Sequence, residues 1–274
     1  MQWDKVKNVL IVILLAVNLF LMFNFGAKMW QDYQRGEELT ADLRTLTQKY
    51  GMQLDDAFEL PKDKVLPTLS IDRSRADEEK VAQAMLGEEA ERTEQEDGTV
   101  QFQSADGKVE WYADGTVQAE CTTGQDAPAD AAEALRLARK LLSGWGLQAE
   151  DESMQADGLT VTMTGTVAGQ PVHNRVLTLR FDEEGGVTLS GLWSFGTPYT
   201  TVRGSGVSCN AADALLEFAS RAQDVQRIDT MTAGYRIEVD SNRRLQLTPT
   251  WKIGTDSGEY LVDCAKKTIV DQEN

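Results

Sequence analysis

Val9 to Phe25 reads VLIVILLAVNLFLMFNF, a predominantly apolar run of 17 residues with no charged residue. Coiled as a helix it covers about 26 Å, close to the hydrocarbon thickness of a bilayer. Trp3 and Trp30 flank it, about 40 Å apart along such a helix, at the two headgroup levels that tryptophan favours. A cleaved signal peptide is the competing reading. Its end would fall at Phe25-Gly26-Ala27, where Phe25 occupies a position that needs a small residue. The expectation is therefore an uncleaved anchor over residues 1–30. Lys5 and Lys7 precede the run, whereas Lys28 and Arg35 follow it among Asp32, Glu37 and Glu38, which points to a cytoplasmic N-terminus and a body outside. Trp3, Lys5, Lys7 and Trp30 are the expected interface anchors. Asn18 and Asn24 are the strongly polar side chains within the run. A carboxamide in lipid either bonds across to a partner helix or is satisfied by its own helix backbone, and both readings stand for Asn18.

The remainder is acidic. The formal net charge is −17, and Asp4 against Lys5, Lys7 and Lys28 makes the first thirty residues +2, which leaves −19 for the body. Nucleic-acid phosphates repel such a surface, so no nucleic-acid partner is expected. Cys121, Cys209 and Cys264 are far apart and form no C-x-x-C, which excludes a compact zinc or redox motif. An odd count leaves at least one thiol unpaired in a monomer. Cys209 and Cys264 fall in the same expected domain and can pair outside the cytoplasm.

Beyond residue 30 the chain alternates helices with hairpins. Leu39, Leu43 and Leu46 stripe a stalk helix within 31–50, and Pro61 and Pro67 make 61–70 extended or looped. A helix over 76–87 ends at Gly87. Asp97-Gly98, Asp106-Gly107 and Asp114-Gly115 then punctuate a meander to Cys121, with Val109 and Trp111 facing inward. After TTGQDAPAD comes a helix over 128–143, and Leu159, Val161, Met163 and Val167 alternate with threonines in a half-buried strand. Strands over 172–181 and 187–195 flank a Gly185-Gly186 turn. A helix over 211–222, capped by Asn210, precedes strands over 235–240, 244–253, 259–263 and 268–270. The helices near 128 and 211 each lead into antiparallel strands, which reads as a degenerate duplication with a spacing of about 80 residues. The expected fold class is α+β: a single N-terminal transmembrane helix followed by antiparallel sheet domains with packed helices. The expected domains are an anchor at 1–30, a stalk and first α+β domain at 31–122, and a second α+β domain at 125–274.

Catalytic signatures are missing. His173 is the sole histidine and reads as a surface residue at the start of a strand. No G-x-S-x-G, H-E-x-x-H or glycine-rich phosphate loop is present. The acidic turns lack a calcium-loop pattern. No enzyme activity, cofactor, metal site or catalytic residue is expected.

The opening, with Trp3, Lys5, Lys7 and then Asn18-Leu19-Phe20-Leu21, resembles the start of YycI proteins. GQPVHNRVLTLRFDEEGGVTLSGLW at 169–193 is similar to their glycine-x-proline-led strand pair. Ala211–Glu217, Gly234-Tyr235, Pro249-Thr250-Trp251-Lys252-Ile253 and Tyr260-Leu261-Val262-Asp263-Cys264 follow in the family's order. The resemblance implies an accessory regulator, with a YycH-like protein, of a sensor histidine kinase of the WalK (YycG) type that governs cell-wall metabolism. It implies contacts through membrane helices, with Asn18 and Asn24 as candidate contact residues. A PepSY-like extracytoplasmic inhibitor or ligand-binding protein is the alternative.

Overall fold

The computed structural model describes residues 14, 17–22, 38–147, 153–200, 206–239 and 244–270. Helix α1 covers residues 38–49. Three short strands follow it: β1 (Gln53–Leu54), β2 (Lys64–Pro67) and β3 (Leu69–Ile71). The rest is built from three units, each a helix leading into four strands. The first is α2 (Arg75–Leu86) with β4 (Glu91–Glu94), β5 (Val100–Ser104), β6 (Gly107–Trp111) and β7 (Thr116–Thr122). The second is α3 (Ala131–Gly144) with β8 (Met154–Asp157), β9 (Thr160–Val167), β10 (Gln170–Phe181) and β11 (Gly186–Leu192). After β12 (Pro198–Tyr199) and β13 (Gly206–Cys209) comes the third: α4 (Ala211–Arg221), β14 (Arg227–Val239), β15 (Leu245–Thr255), β16 (Gly258–Asp263) and β17 (Ile269–Val270).

One local code starts all three unit helices. Ser74, Asp130 and Asn210 each accept a hydrogen bond from the amide three residues on, that of Asp77, Glu133 and Asp213. The cap satisfies an orphan N–H, and the acidic residue meets the positive end of the helix dipole. The hairpin turns are equally local. Asp114 Oδ1 accepts from Thr116 N at 2.8 Å, and Asp182 Oδ1 from Glu184 N and Gly186 N at 2.9 and 2.7 Å.

Among the described residues fifteen strands form one mostly antiparallel sheet, and β2 with β13 form a separate pair. Eight of the fifteen are arranged as two halves, β8-β9-β10-β11 and β7-β6-β5-β4, that meet where β11 pairs antiparallel with β7. A shift of 70 residues carries Gly107↔Cys121 onto Leu177↔Gly191. The same shift carries Ala119 onto Leu189, and these two residues pair with each other. A residue paired with its own equivalent marks a two-fold axis. The flanking bonds obey it: Thr123 N donates to Gly185 O at 3.4 Å and Trp193 N to Gly115 O at 3.1 Å. The repeat is therefore tightest between the first and second units, one unit earlier than the 128-to-211 spacing suggests.

Two cores result. The first lies under α2 and α3 and holds Val109, Trp111, Leu142, Met163, Leu179 and Leu189. Residues on both sides of the 123–130 connection contribute to it. The second joins the chain's two ends: Leu43 of α1, Leu54, Leu66 and Ile71 pack with Phe218, Tyr235, Leu247 and Trp251. β1 lies parallel to β14, with Leu54 beside Ile228, and β3 antiparallel to β15, with Ile71 opposite Leu245. The fold class is thus α+β, dominated by sheet, with few helices. Among the described residues no helix is long and apolar enough to cross a membrane. Most of the 9–25 run lies outside those residues; Leu14 and 17–22 are helical.

Candidate functional site

Of the residues the sequence proposes for membrane and partner contact, Trp3, Lys5, Lys7, Asn24 and Trp30 lie outside the described residues. Asn18 is described. Its Nδ2 donates to Leu14 O at 2.9 Å, one helical turn back, and the side chain is exposed. Leu19, Phe20, Leu21 and Met22 are 62, 68, 58 and 75% exposed. Four consecutive helical residues point in all directions around the axis, so this apolar surface has no single face for the body to cover.

α1 is fixed to the second core. Leu43 and Thr47 are buried, and Leu46 is half-buried, whereas Leu39 is exposed. Arg44 Nη1 donates to Leu54 O at 3.0 Å and Nη2 to Asp55 O at 2.8 Å. A planar guanidinium with two engaged nitrogens fixes orientation as well as distance. Further along, Asp63 Oδ1 accepts from Ala211 N at 2.8 Å and Oδ2 from Asn210 Nδ2 at 3.0 Å, which joins the segment after α1 to the start of α4. The Cys209–Cys264 disulfide, with Cα atoms 5.1 Å apart, ties that same helix start to the turn after β16. Cys121 is buried in the first core as a free thiol. Burial, and then the charge of Asp106, push its pKa up to about 11.

The two cores meet at β10. Its end packs in the first core through Leu177, Leu179 and Phe181, whereas Val172 packs in the second. Between these points the strand leaves its ladder. Pro171 pairs with Thr166 and Val176 with Thr164, so Val172, His173, Asn174 and Arg175 stand opposite Gly165 alone. On the other side Val172 lies parallel to Tyr235 of β14. Here a side chain substitutes for backbone. Asn174 Oδ1 accepts from Ile237 N at 2.8 Å while its Nδ2 donates to Ile237 O at 2.9 Å. A carboxamide has the peptide group's own donor and acceptor, so it closes the gap that the bulge opens.

Arg175 runs beneath the seam. Its Cζ lies 4.0 Å from the centre of the Trp193 ring, and Nη2 donates to Ser194 O at 3.0 Å. Gly165 makes this possible, because a Cβ there would stand 2.5 Å from Arg175 Cδ. Burial lowers the guanidinium pKa to about 10, still charged at neutral pH. His173 packs on Gly234, where a Cβ would lie 2.7 Å from Nε2. It is half-buried rather than a surface residue, because the bulge turns it toward β14 and β15. Burial, and then the charge of Lys252, lower its pKa to about 4, against smaller raising effects from Thr250, Glu259 and Thr232. The imidazole is therefore neutral at pH 7. Among the described residues seven buried side-chain atoms lack a hydrogen-bond partner, and three of them, His173 Nε2, Arg175 Nε and Ser194 Oγ, belong to this seam. Such an arrangement positions two bodies against each other. Among the described residues no group of three His, Cys, Asp or Glu is placed to hold a metal ion.

The sequence marked GQPVHNRV as a strand start and as part of the 169–193 resemblance, with no role for Asn174 or Arg175. The usable signal was Asn174 breaking the apolar alternation between Val172 and Val176.

No protein-family model matches the chain, and no curated protein matches it. Among solved structures, an uncharacterized protein from Eubacterium rectale is 12% identical with a TM-score of 0.50, over 81% of this chain and 91% of that one. The Bacillus megaterium YpeB C-terminal domain is a distant neighbour, 10% identical with a TM-score of 0.33, over 73% of this chain and 98% of that one. The first likeness is one of fold alone.

Proposed function

We propose that this chain is a membrane-anchored regulatory binding protein with an extracytoplasmic body, and that it acts on a sensor histidine kinase of the WalK type together with a YycH-like protein. The observation that carries the reading is the helical stretch at 17–22, apolar apart from Asn18 and exposed all the way round, within an uncharged run of bilayer length. The Cys209–Cys264 disulfide suits a body outside the cytoplasm. The Arg44 clamp gives a helix arriving from the membrane a fixed seat in the second core. The kinase and the YycH-like partner rest on the resemblance carried by Trp3, Lys5, Lys7, Asn18-Leu19-Phe20-Leu21 and residues 169–193.

The test replaces residues 9–25 with an unrelated membrane span and measures co-purification with the kinase and kinase output at equal expression. Loss of both is expected. Asn18→Leu should weaken the association roughly 3- to 30-fold, the worth of one polar contact between membrane helices. A replaced span that behaves as wild type would overturn contact through the helix and leave a secreted, PepSY-like ligand-binding body as the better reading. A mature N-terminus near Lys28 would overturn the anchor itself.

A further inference from the structure

We propose that the β10 bulge is a two-position joint, in which the Asn174 carboxamide is the latch that holds the first core's half of the molecule against the second core's half. The inference does not depend on which partner the protein serves.

Three observations carry it. First, the backbone pairing of β10 with β14 is a single bridge, Val172↔Tyr235, whereas β14 and β15 pair along eleven positions. The two hydrogen bonds of Asn174 with Ile237 extend that bridge by one side chain. Second, the polar groups packed around the joint are not fully satisfied in the closed arrangement. Ser194 is 2% exposed and its Oγ has no partner, and His173 Nε2 and Arg175 Nε are in the same condition. A buried polar atom without a partner disfavours the arrangement that buries it, and a shift of the halves returns it to water. Third, the joint is an addition. The β5–β6 hairpin turns directly from Ser104 to Gly107, whereas the equivalent β9–β10 hairpin continues past the bulge to Val167 and Gln170, and the bulged stretch carries the Val172 bridge to β14. Because α1 is seated in the second core, rotation at the joint moves the first half relative to the stalk.

Protonation works against the latch. The charged groups facing the imidazole are Lys252 of β15 and Glu259 of β16, paired with each other at 2.7 Å, while β14 presents Gly234 and the Thr232 backbone. His173 binds a proton near pH 4 when the seam is closed and near 6.5 when it is solvated. A lowered pKa in the closed form means that acid favours the open one. The closed arrangement keeps its full advantage above pH 6.5 and loses it progressively as pH falls toward 4. Between pH 7.5 and pH 5.0 the open-to-closed ratio should rise about 25-fold.

The experiment uses the full chain in nanodiscs with spin labels at Gln103→Cys, exposed on β5, and Ser257→Cys, exposed in the β15–β16 turn. Wild type at pH 7.5 should give one narrow distance distribution. Asn174→Ala should add a second population, and so should wild type at pH 5.0. His173→Gln should abolish the acid-induced population. An unchanged single distance for wild type and Asn174→Ala at both pH values would overturn the joint. An acid-induced population that persists in His173→Gln would overturn the part assigned to His173 in the pH response. Should Asn174→Ala fail to fold, the wild-type and His173→Gln comparison decides alone.

Discussion

The two cores are built by opposite strategies. The first is assembled from consecutive chain. Each half is a helix with a meander, and the halves join through β7 and β11, whose central pair is Ala119 and Leu189. The second is assembled from segments that lie far apart, residues 43–71 and 209–264, with Val172 of β10 between them. The difference shows in the covalent chemistry. The local core has a free thiol at Cys121, and the distant one has the Cys209–Cys264 bridge. Short-range pairing needs little loop closure, whereas joining distant segments loses more chain entropy; the bridge leaves the gap between them open and instead constrains the 209–264 segment in the unfolded state.

The comparison can be broken first at the disulfide. Its cysteines are 55 residues apart, and in the chain-entropy model a loop of that size stabilises by about 4 kcal/mol. Replacing both cysteines by serine should lower the amide-exchange protection of β14 and β15 by that order while β6 and β7 keep theirs. Equal loss in both would show one cooperative body and erase the contrast. The first core has its own concentrated bond. Glu78, 1% exposed, pairs with Arg73 and, at 3.1 Å, with Arg75, and these arginines also bond Ala113 O and Gly98 O at the hairpin turns. Glu78→Ala leaves the mostly buried Arg73 without its carboxylate and should cost about 3 kcal/mol, read as a denaturant midpoint for the first core. The smallest effect is a gain. Ala168 and Gly169 turn the β9–β10 hairpin with φ of 51° and 70°. A left-handed alanine is strained, and asparagine before glycine suits such a turn. Ala168→Asn should stabilise by about 0.5–1 kcal/mol, and a midpoint that falls instead would show that the turn is not what limits the hairpin.

Local features were legible in the sequence. The Asp-Gly pairs placed the first meander, and Gly87 and Asn210 marked helix ends that the structure places at Leu86 and Ala211. Val109 and Trp111 face inward as their alternation requires. The Cys209–Cys264 pairing was open to the sequence and is present. What the sequence concealed was partnership. Nothing in QL at 53–54 or LSI at 69–71 announces β14 and β15 as neighbours, because hydrophobic period sets which face is buried and is silent on which strand lies alongside. β14 begins at Arg227, eight residues before its expected start, since Asp229, Thr230 and Thr232 dilute the apolar signal there. The seam was missed for a related reason. Asn174 acts by imitating backbone, a role that leaves no periodicity in the sequence.

The pairing of Ile71 with Leu245 also sets a timetable. A ribosome adding roughly 5 to 20 residues per second needs about 10 to 35 s to travel from one to the other. Through that interval the first meander can close on itself, while Leu54, Phe58, Leu66 and Ile71 await strands not yet made. A nascent chain halted before residue 245 presents those four side chains to its surroundings. Recognition by chaperones and proteases should therefore concentrate on the early segment, although the chain's last strands are what it lacks.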